Sequence, residues 1–314
     1  MMRPRVITIN RFAAGRTWVA VLLTAAFAAT GVFAAIPTAE PRPLFTLSEG
    51  LALPSDVAVG RDGRIYVVDS GNHRIAVFQR GGKRLFTFGS RGNGAGQLRD
   101  PVGIGIDPSG QVYVADKGNH RIQIFAADGA YVRALAVKAG GKDVAPVDVA
   151  VDAAGKTVYV TGNSNHKVMA FSPDGRLLHQ WGGEGVNRGE FRYPATVAVG
   201  TDGRVYVVDV LNARVQVRDR KGTFDMVGEW GVLPGQLFRP KGVALDRQGR
   251  VYVSDSYLDV VQVFNNAYQF LYVLGAGGKP QPLIAAAGIT IDADNRLYVA
   301  EMLKHRVAVF ALPP

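Results

Sequence analysis

The fold follows from a repeating unit that is clearest in the stretch Val112-Tyr-Val-Ala-Asp116-Lys-Gly-Asn119-His-Arg121-Ile-Gln-Ile-Phe125. An alternating apolar pattern runs through residues 112–114 and again through residues 122–125, which is typical of half-buried strands. The polar segment with a glycine between these two runs predicts a tight turn. The stretch is therefore read as a strand, a turn and a returning strand.

The same pattern recurs along the chain, and a tyrosine in its first strand marks each copy. The steps between these tyrosines are 47, 46, 47, 46 and 46 residues, and the tyrosines are Tyr66, Tyr113, Tyr159, Tyr206, Tyr252 and Tyr298. A fixed period in the forties with alternating strands predicts a β-propeller with one blade per repeat. We therefore predict an all-β, six-bladed β-propeller of four-stranded blades.

The last blade lacks a fourth strand in its own repeat, because the chain ends at Pro314 soon after the third. The missing strand is present at the other end, where Leu44-Phe-Thr-Leu47 resembles Leu85-Phe-Thr-Phe88. We expect this N-terminal strand to complete the last blade, which removes an open sheet edge. The propeller then spans residues 44–314, and residues 37–43, with three prolines, are predicted to be a linker.

The N-terminus has the composition of an export segment. Residues 1–16 carry four arginines and no acidic residue, and residues 17–36 carry no charge. A basic head before an apolar run is typical of a signal peptide, and a run of about 20 residues is also long enough for an uncleaved transmembrane anchor. We expect residues 1–36 to be one of these two. The propeller is then periplasmic or secreted, or anchored to the inner membrane by residues 17–36.

The amino-acid composition limits the kinds of site and partner that the protein can have. The chain has no cysteine, which excludes disulfides, thiolate zinc sites and a lipobox. The formal net charge is +10, of which five arginines and one glutamate before residue 43 account for +4. The remaining charge permits an acidic partner without requiring nucleic acid. We expect a monomeric propeller that binds no nucleic acid and meets a membrane only through an uncleaved N-terminal segment.

Two motifs connect the chain with a known family. Asn-His-Arg follows Tyr-Val-x-Asp at residues 72–74 and 119–121, and Gly-Gln-Leu precedes the next blade at residues 96–98 and 235–237. On these motifs residues 44–312 resemble the NHL-repeat family of six-bladed propellers. The resemblance implies the fold rather than one function. The family includes protein- and ligand-binding modules, extracytoplasmic sensor domains, RNA-binding propellers and peptidyl-hydroxyglycine amidating lyases, and exported bacterial members look similar.

The repeated corner explains most residues that first suggest chemistry. Its histidines occupy one repeat position, so we expect local packing or hydrogen bonding; they are His73, His120, His166 and His305. An acid and a base five residues apart predict a structural ion pair in four blades, at Asp69/Arg74, Asp116/Arg121, Asp209/Arg214 and Glu301/Arg306. Two corners break this rule and are candidates for function. Their candidate residues are Lys167, which follows Gly162, and Asp255, Tyr257 and Asp259.

A metal site in the channel is the second possibility. The amidating lyases that the chain resembles place metal-binding histidines near the start of innermost strands. The corresponding positions here hold Asp56, Gly103, Asp148, Thr196, Gly242 and Gly288, so that zinc site cannot be assembled. Tyr257 corresponds to the catalytic tyrosine of those lyases. Asp56, Asp148 and Thr196 are candidate ligands for calcium, a cation that prefers oxygen. The alternative is that the two aspartates cap the preceding loops. We predict no cofactor, with calcium as the alternative.

The loops before new blades are the best candidate for a binding surface. They carry cations interleaved with aromatic residues, namely Arg99, Arg192, Arg239 and Lys241 with Phe191, Tyr193 and Phe238. We expect these loops to share one face with the Asn-His-Arg corners. The sequence therefore predicts a non-enzymatic extracytoplasmic binding or scaffold propeller that recognises a protein, peptide, polysaccharide or other anionic ligand through this face. The alternative is a metal-assisted lyase or lactone-hydrolase-like enzyme at the channel mouth.

Overall fold

The computed structural model describes residues 35–313, which form a six-bladed β-propeller. Six antiparallel sheets follow one another along the chain, and each runs from the central channel outward. Proline opens the innermost strand in all blades but the last, because the first residue of a strand needs no ladder donor. The innermost strands are Pro54–Val59, Pro101–Ile106, Pro146–Val151, Pro194–Val199, Pro240–Leu245 and Ala286–Ile291.

The second and third strands of each blade are the repeated stretch. The second strands are Ile65–Asp69, Val112–Asp116, Val158–Gly162, Val205–Asp209, Val251–Asp255 and Arg296–Glu301. The third strands are Arg74–Phe78, Arg121–Phe125, Lys167–Phe171, Arg214–Arg218, Val260–Phe264 and Arg306–Ala311. Short 3-10 turns join them in four blades, at Ser70–Asn72, Lys117–Asn119, Val210–Asn212 and Met302–Lys304.

The ring closes as the sequence predicts, with strands from both ends of the chain in one blade. Arg42–Leu47 pairs antiparallel with Arg306–Ala311 and supplies the outermost strand of blade 6. The innermost strand of blade 6 packs against that of blade 1. The outermost strands of blades 1 to 5 are Arg84–Phe88, Tyr131–Ala136, Leu177–Gly182, Phe224–Val227 and Phe270–Ala276.

The N-terminal linker is more ordered than expected. Thr38–Ala39 pairs in parallel with Val273 and Leu274 on the outermost strand of blade 5. The strand of blade 6 begins at Arg42, two residues before Leu44. Two short hairpins also extend the blades, formed by Lys138–Ala139 with Lys142–Asp143 and by Lys279–Pro280 with the end of Phe270–Ala276.

The predicted signal or anchor segment, residues 1–36, lies almost entirely outside the described residues. No helix of the described part, residues 35–313, is long and apolar enough to cross a membrane.

Apolar clusters between neighbouring blades form the core. The described residues contain six of them, one at each junction between blades. The repeated tyrosines belong to these clusters, and the rings of Tyr113 and Tyr298 are buried. The hydroxyls of Tyr113, Tyr252 and Tyr298 reach the hairpin after the innermost strand of their own blade, as in the hydrogen bond of 2.9 Å that Tyr298 donates to Asp292. The period of the sequence is therefore the period of the inter-blade core.

Candidate functional site

The corner carboxylates are structural, as the sequence predicts. Asp116 is fully buried and accepts hydrogen bonds from Arg121 Nε at 2.8 Å and from the backbone N–H of Arg99 at 2.7 Å. Asn119 and Gln123 donate to the same carboxylate. The equivalent ion pairs are Asp69–Arg74 at 2.7 Å, Asp209–Arg214 at 2.9 Å and Glu301–Arg306 at 2.5 Å. Each corner is thereby tied to the loop that enters its own blade.

The corner histidines connect neighbouring blades. His73, His166 and His305 adopt left-handed backbone conformations, with φ between 52° and 53°. Each accepts a hydrogen bond at Nδ1 from a backbone N–H just before the next innermost strand, donated by Asp100, Tyr193 and Leu53, respectively. Among the described residues no group of three histidine or acidic side chains could hold a metal ion. The expectation of local hydrogen bonding is thus met in three of the four corners.

The two irregular corners are held together by substitutes. Asp255 is buried and accepts four backbone N–H groups, which replace the missing arginine; the donors are Phe238, Arg239, Tyr257 and Leu258. Asp259 takes the place of histidine and accepts the N–H of Ala285 at 2.7 Å. In blade 3, Asn165 fills the space beside Gly162 and accepts the N–H of Lys167. Asp255 and Asp259 are therefore engaged within the fold, whereas Tyr257 points to solvent.

Loops and corners share one face, which we call the corner face. It comprises the turns between second and third strands and the loops before innermost strands. The three long loops are held by glutamines of the following blade, because Gln123, Gln216 and Gln262 accept the N–H groups of Gly96, Gly189 and Gly235, respectively. The loop side chains are thus carried on a fixed backbone.

An aromatic platform stands on this face. The rings of Phe238 and Tyr257 stack with centroids 4.2 Å apart, and Trp230 lies 6.2 Å from Phe238. Trp230 is 69% exposed and Tyr257 is 44% exposed. A backbone bridge between Trp230 and the buried Leu237 fixes the loop. Trp230 is not evident as a site residue from the sequence, because its side chain joins the platform only through the folded loop.

Apolar side chains favour blades 4 to 6 of the corner face. Leu211, Tyr257 and Leu303 occupy the same corner position and are all exposed, whereas blades 1 to 3 carry Gly71, Gly118 and Ser164 there. Tyr193 is also exposed and meets the ring of His166 edge-on. Single exposed apolar residues are ordinary, but a concentration on one side of a face marks an interaction surface.

The predicted cations of the corner face come from blades 2 to 5. Arg99, Arg192 and Arg239 are exposed, and Lys167 and Lys241 are half-buried. Burial lowers the pKa of Lys241, and the charges of Arg239 and Lys117 add to this effect. Within residues 35–313, none of these five cations forms an ion pair with an acidic side chain. Their charges are available to an anion.

Asp56 and Asp148 meet inside the channel. Asp56 accepts the N–H groups of Val57 and of Ile104 in the next blade, and Asp148 accepts that of Val197. Burial raises the pKa of Asp148 to about 7. Burial, followed by the charge of Asp148, raises the pKa of Asp56 well above its usual range. Burial and mutual repulsion thus oppose ionisation of both carboxyl groups, and at least one of them keeps its proton near neutral pH.

The residues around this pair do not fit calcium. Both oxygens of Asp56 already accept backbone N–H groups, and the hydroxyl of Thr196 donates to the carbonyl of Lys241. Oδ1 of Asp148 is the one carboxylate oxygen of the pair without a hydrogen-bond partner among the described residues. Calcium takes six to eight oxygen ligands. A shared proton explains how Oδ1 of Asp148 is satisfied, because protonated Asp56 then donates a hydrogen bond to it.

The carboxyl pair also lines a cavity of about 260 Å³ in the channel. Its walls are small and aliphatic residues of the innermost strands, among them Val57, Ala150 and Ile289. Glycine is required beside the carboxyl groups, because a Cβ on Gly103 would lie 2.3 Å from Oδ1 of Asp148.

Comparisons with known proteins agree with the propeller fold. The NHL repeat model matches residues 51–78, 98–125 and 191–217. A search of curated proteins found no significant match. Among solved structures, the chain is similar to a gluconolactonase from Xanthomonas campestris, with a TM-score of 0.65 and 18% identity over 91% of this chain and 99% of that one.

Two further structures share the fold. A streptogramin B lyase aligns with a TM-score of 0.62 and 14% identity, covering 87% of this chain and 97% of the other. The virginiamycin B lyase from Staphylococcus aureus aligns with a TM-score of 0.59 and 13% identity, covering 86% and 99%. At such identities the likeness concerns the fold alone. The chain thus carries sequence matches to the NHL repeat at three positions, within a propeller of six four-stranded blades.

Proposed function

We propose that this protein is a non-enzymatic binding propeller that captures a protein partner with acidic side chains through the corner face. The observation that carries the proposal is the exposed platform of Trp230, Phe238 and Tyr257. Aromatic side chains with a polar rim are typical of the residues that dominate binding energy at protein interfaces. Arg239 directly follows Phe238 of this platform in sequence, and Arg192 directly precedes the exposed Tyr193 on the same face. These two arginines supply the complementary charge.

The proposal includes an extracytoplasmic location, which rests on the composition of residues 1–36. In such a setting the propeller presents a fixed surface to exported or surface-exposed partners. A peptide or an anionic surface polymer would use the same cations, but the platform favours a partner with apolar side chains as well as acids.

Crosslinking followed by capture on the tagged full-length protein tests this function. The triple variant R192S/R239S/K241S should lose the partner that the wild-type protein enriches. The matched control is K83S/K221S, because both lysines are exposed on hairpins at the opposite ends of their blades. Equal capture by the triple variant would show that the corner face is the wrong surface.

A second candidate is a lactone hydrolase or lyase that works in the channel. It is favoured by the carboxyl pair lining a cavity and by the enzyme names of the structural neighbours. A carboxyl and a carboxylate in contact can serve as acid and base. Turnover of a panel of lactones that is present in the wild type and lost in D56N would establish this candidate; absence of turnover in both would remove it.

A further inference from the structure

The corner-face end of the central channel, which we call the mouth, has an unusual composition. Two repeat positions form it: the second residue of each innermost strand and the first residue of each corner. Blade 1 shows that these positions meet, because the hydroxyl oxygens of Ser55 and Ser70 lie 2.7 Å apart. Each of these oxygens also lies 2.6 Å from an innermost-strand carbonyl of blade 2.

The other blades place mostly uncharged residues at these positions. The second strand residues are Ser55, Val102, Val147, Ala195, Lys241 and Ala287, and the first corner residues are Ser70, Lys117, Asn163, Val210, Ser256 and Met302. The only charges in this set are two lysines. They come from blades 2 and 5, which face each other across a ring of six.

Both lysines lack an anionic partner in the fold. The lysine ion pairs of the described residues join Lys138 with Asp143 and Lys304 with Glu301, so neither Lys117 nor Lys241 takes part in one. The charge of Asp255 acts on Lys241, but the carboxylate oxygens of Asp255 accept backbone N–H groups.

We propose that the mouth is an anion subsite, in which Lys117 and Lys241 together bind one carboxylate or phosphate group of a ligand. Facing ammonium groups in a partly buried, apolar-walled setting attract an anion more strongly than exposed lysines do, because the local dielectric constant is lower. The lowered pKa of Lys241 fits this arrangement, since burial and neighbouring cations penalise its charge until an anion binds.

Asn163 adds a polar group at the same mouth. Its Oδ1 is buried and has no hydrogen-bond partner among residues 35–313. A ligand that carries a hydroxyl or N–H next to its anionic group would satisfy this oxygen. The subsite extends the proposed corner-face function, on which it rests: the anionic end enters the mouth while the rest of the partner lies on the aromatic platform.

Inorganic phosphate and acetate are the probes for the two kinds of anion. Isothermal titration of the full-length protein, at constant ionic strength in chloride, should show saturable binding of at least one of them. The variant K117A/K241A should bind that probe at least tenfold more weakly, and K117R/K241R should retain it. The control K83A/K221A should match the wild type.

The outcomes separate this proposal from the function on which it rests. The variant W230S/Y257S should lose the protein partner yet bind the probe as the wild type does. Probe binding that is absent from the wild type, or unchanged in K117A/K241A, overturns the subsite even if partner capture persists. Phosphate binding without acetate binding assigns the ligand group as a phosphate, and the reverse assigns it as a carboxylate.

Discussion

Asp56 and Asp148 come from blades 1 and 3, and their carboxyl groups meet across the innermost strand of blade 2. Asp56 accepts the N–H of Ile104 in blade 2, and Asp148 accepts the N–H of Val197 in blade 4. Two buried carboxyl groups in contact cannot both ionise cheaply. The proton they share therefore links the ionisation of the channel to the stability of the ring.

This link predicts a pH-dependent effect of the variant D148N. The folded pKa of Asp148, about 7, lies above its ordinary value of 3.8, so its favourable contribution is complete below about pH 4 and is lost as the pH rises to 7. Asparagine keeps the acceptor for Val197 and adds a donor for Asp56, without ionising. The free energy of unfolding of D148N minus that of the wild type should therefore increase between pH 4 and pH 7.

Urea denaturation at several pH values measures this difference. Each pKa unit corresponds to about 1.4 kcal/mol, so a change of a few kcal/mol is expected. A difference that stays constant with pH would contradict the shared proton.

The glycine beside the pair gives a second prediction. A Cβ on Gly103 would collide with Oδ1 of Asp148 and with the carbonyl of Val147, 2.6 Å away. G103A should therefore lower the free energy of unfolding by about 1–3 kcal/mol, the usual cost of overpacking. G81A is the matched control, because a Cβ there meets nothing within 4 Å. Equal stability of the two variants would show that the channel layer is looser than the structure indicates.

The corner ion pairs give a third prediction. Replacing Arg121 with leucine removes the charged partner of the buried Asp116 and should cost about 3 kcal/mol. Lys167 occupies the same repeat position in blade 3, where Gly162 leaves no acid to pair with it. K167L should change stability by less than about 0.5 kcal/mol. Thermal unfolding of both variants tests whether the regular corner stabilises its blade.

The hydrogen bonds of the corner histidines predict which histidine substitutions lower the stability of the propeller. His305 accepts the N–H of Leu53 at 3.0 Å and so connects blade 6 with blade 1. H305A should destabilise the protein by about 1 kcal/mol, the value of a typical hydrogen bond. H120A is the comparison, because Ser164 accepts the corresponding N–H, that of Ala145. A larger loss in H120A than in H305A would contradict the proposed role of the histidine.

Sequence periodicity was sufficient for the propeller and its closure, because strand alternation and the spacing of Tyr66 and its equivalents are local properties that six blades repeat. The pairing of Thr38–Ala39 with blade 5 could not be foreseen, since a two-residue strand has no pattern of its own. Alternation also places Asp56 and Asp148 in one channel layer, which made their meeting predictable.

The candidate surface was only partly predictable. Phe238, Arg239 and Tyr257 stand out against the regular repeat, and the structure brings Phe238 and Tyr257 into contact. Asp255 stood out too, but four backbone N–H groups make it part of the corner. The roles of Trp230 and Lys117 became evident only from the structure. The folded loop brings Trp230 to the aromatic platform, and the ring places Lys117 of blade 2 opposite Lys241 of blade 5.

The affinity of the captured partner for corner-face variants shows whether the aromatic platform binds that partner. Once that partner is identified, its dissociation constant is measured for the wild type, for W230S/Y257S and for L177S/L178S. The two leucines are also exposed but lie on the outermost strand of blade 3. The account predicts binding at least tenfold weaker for W230S/Y257S and unchanged for L177S/L178S. Unchanged affinity of W230S/Y257S would contradict it.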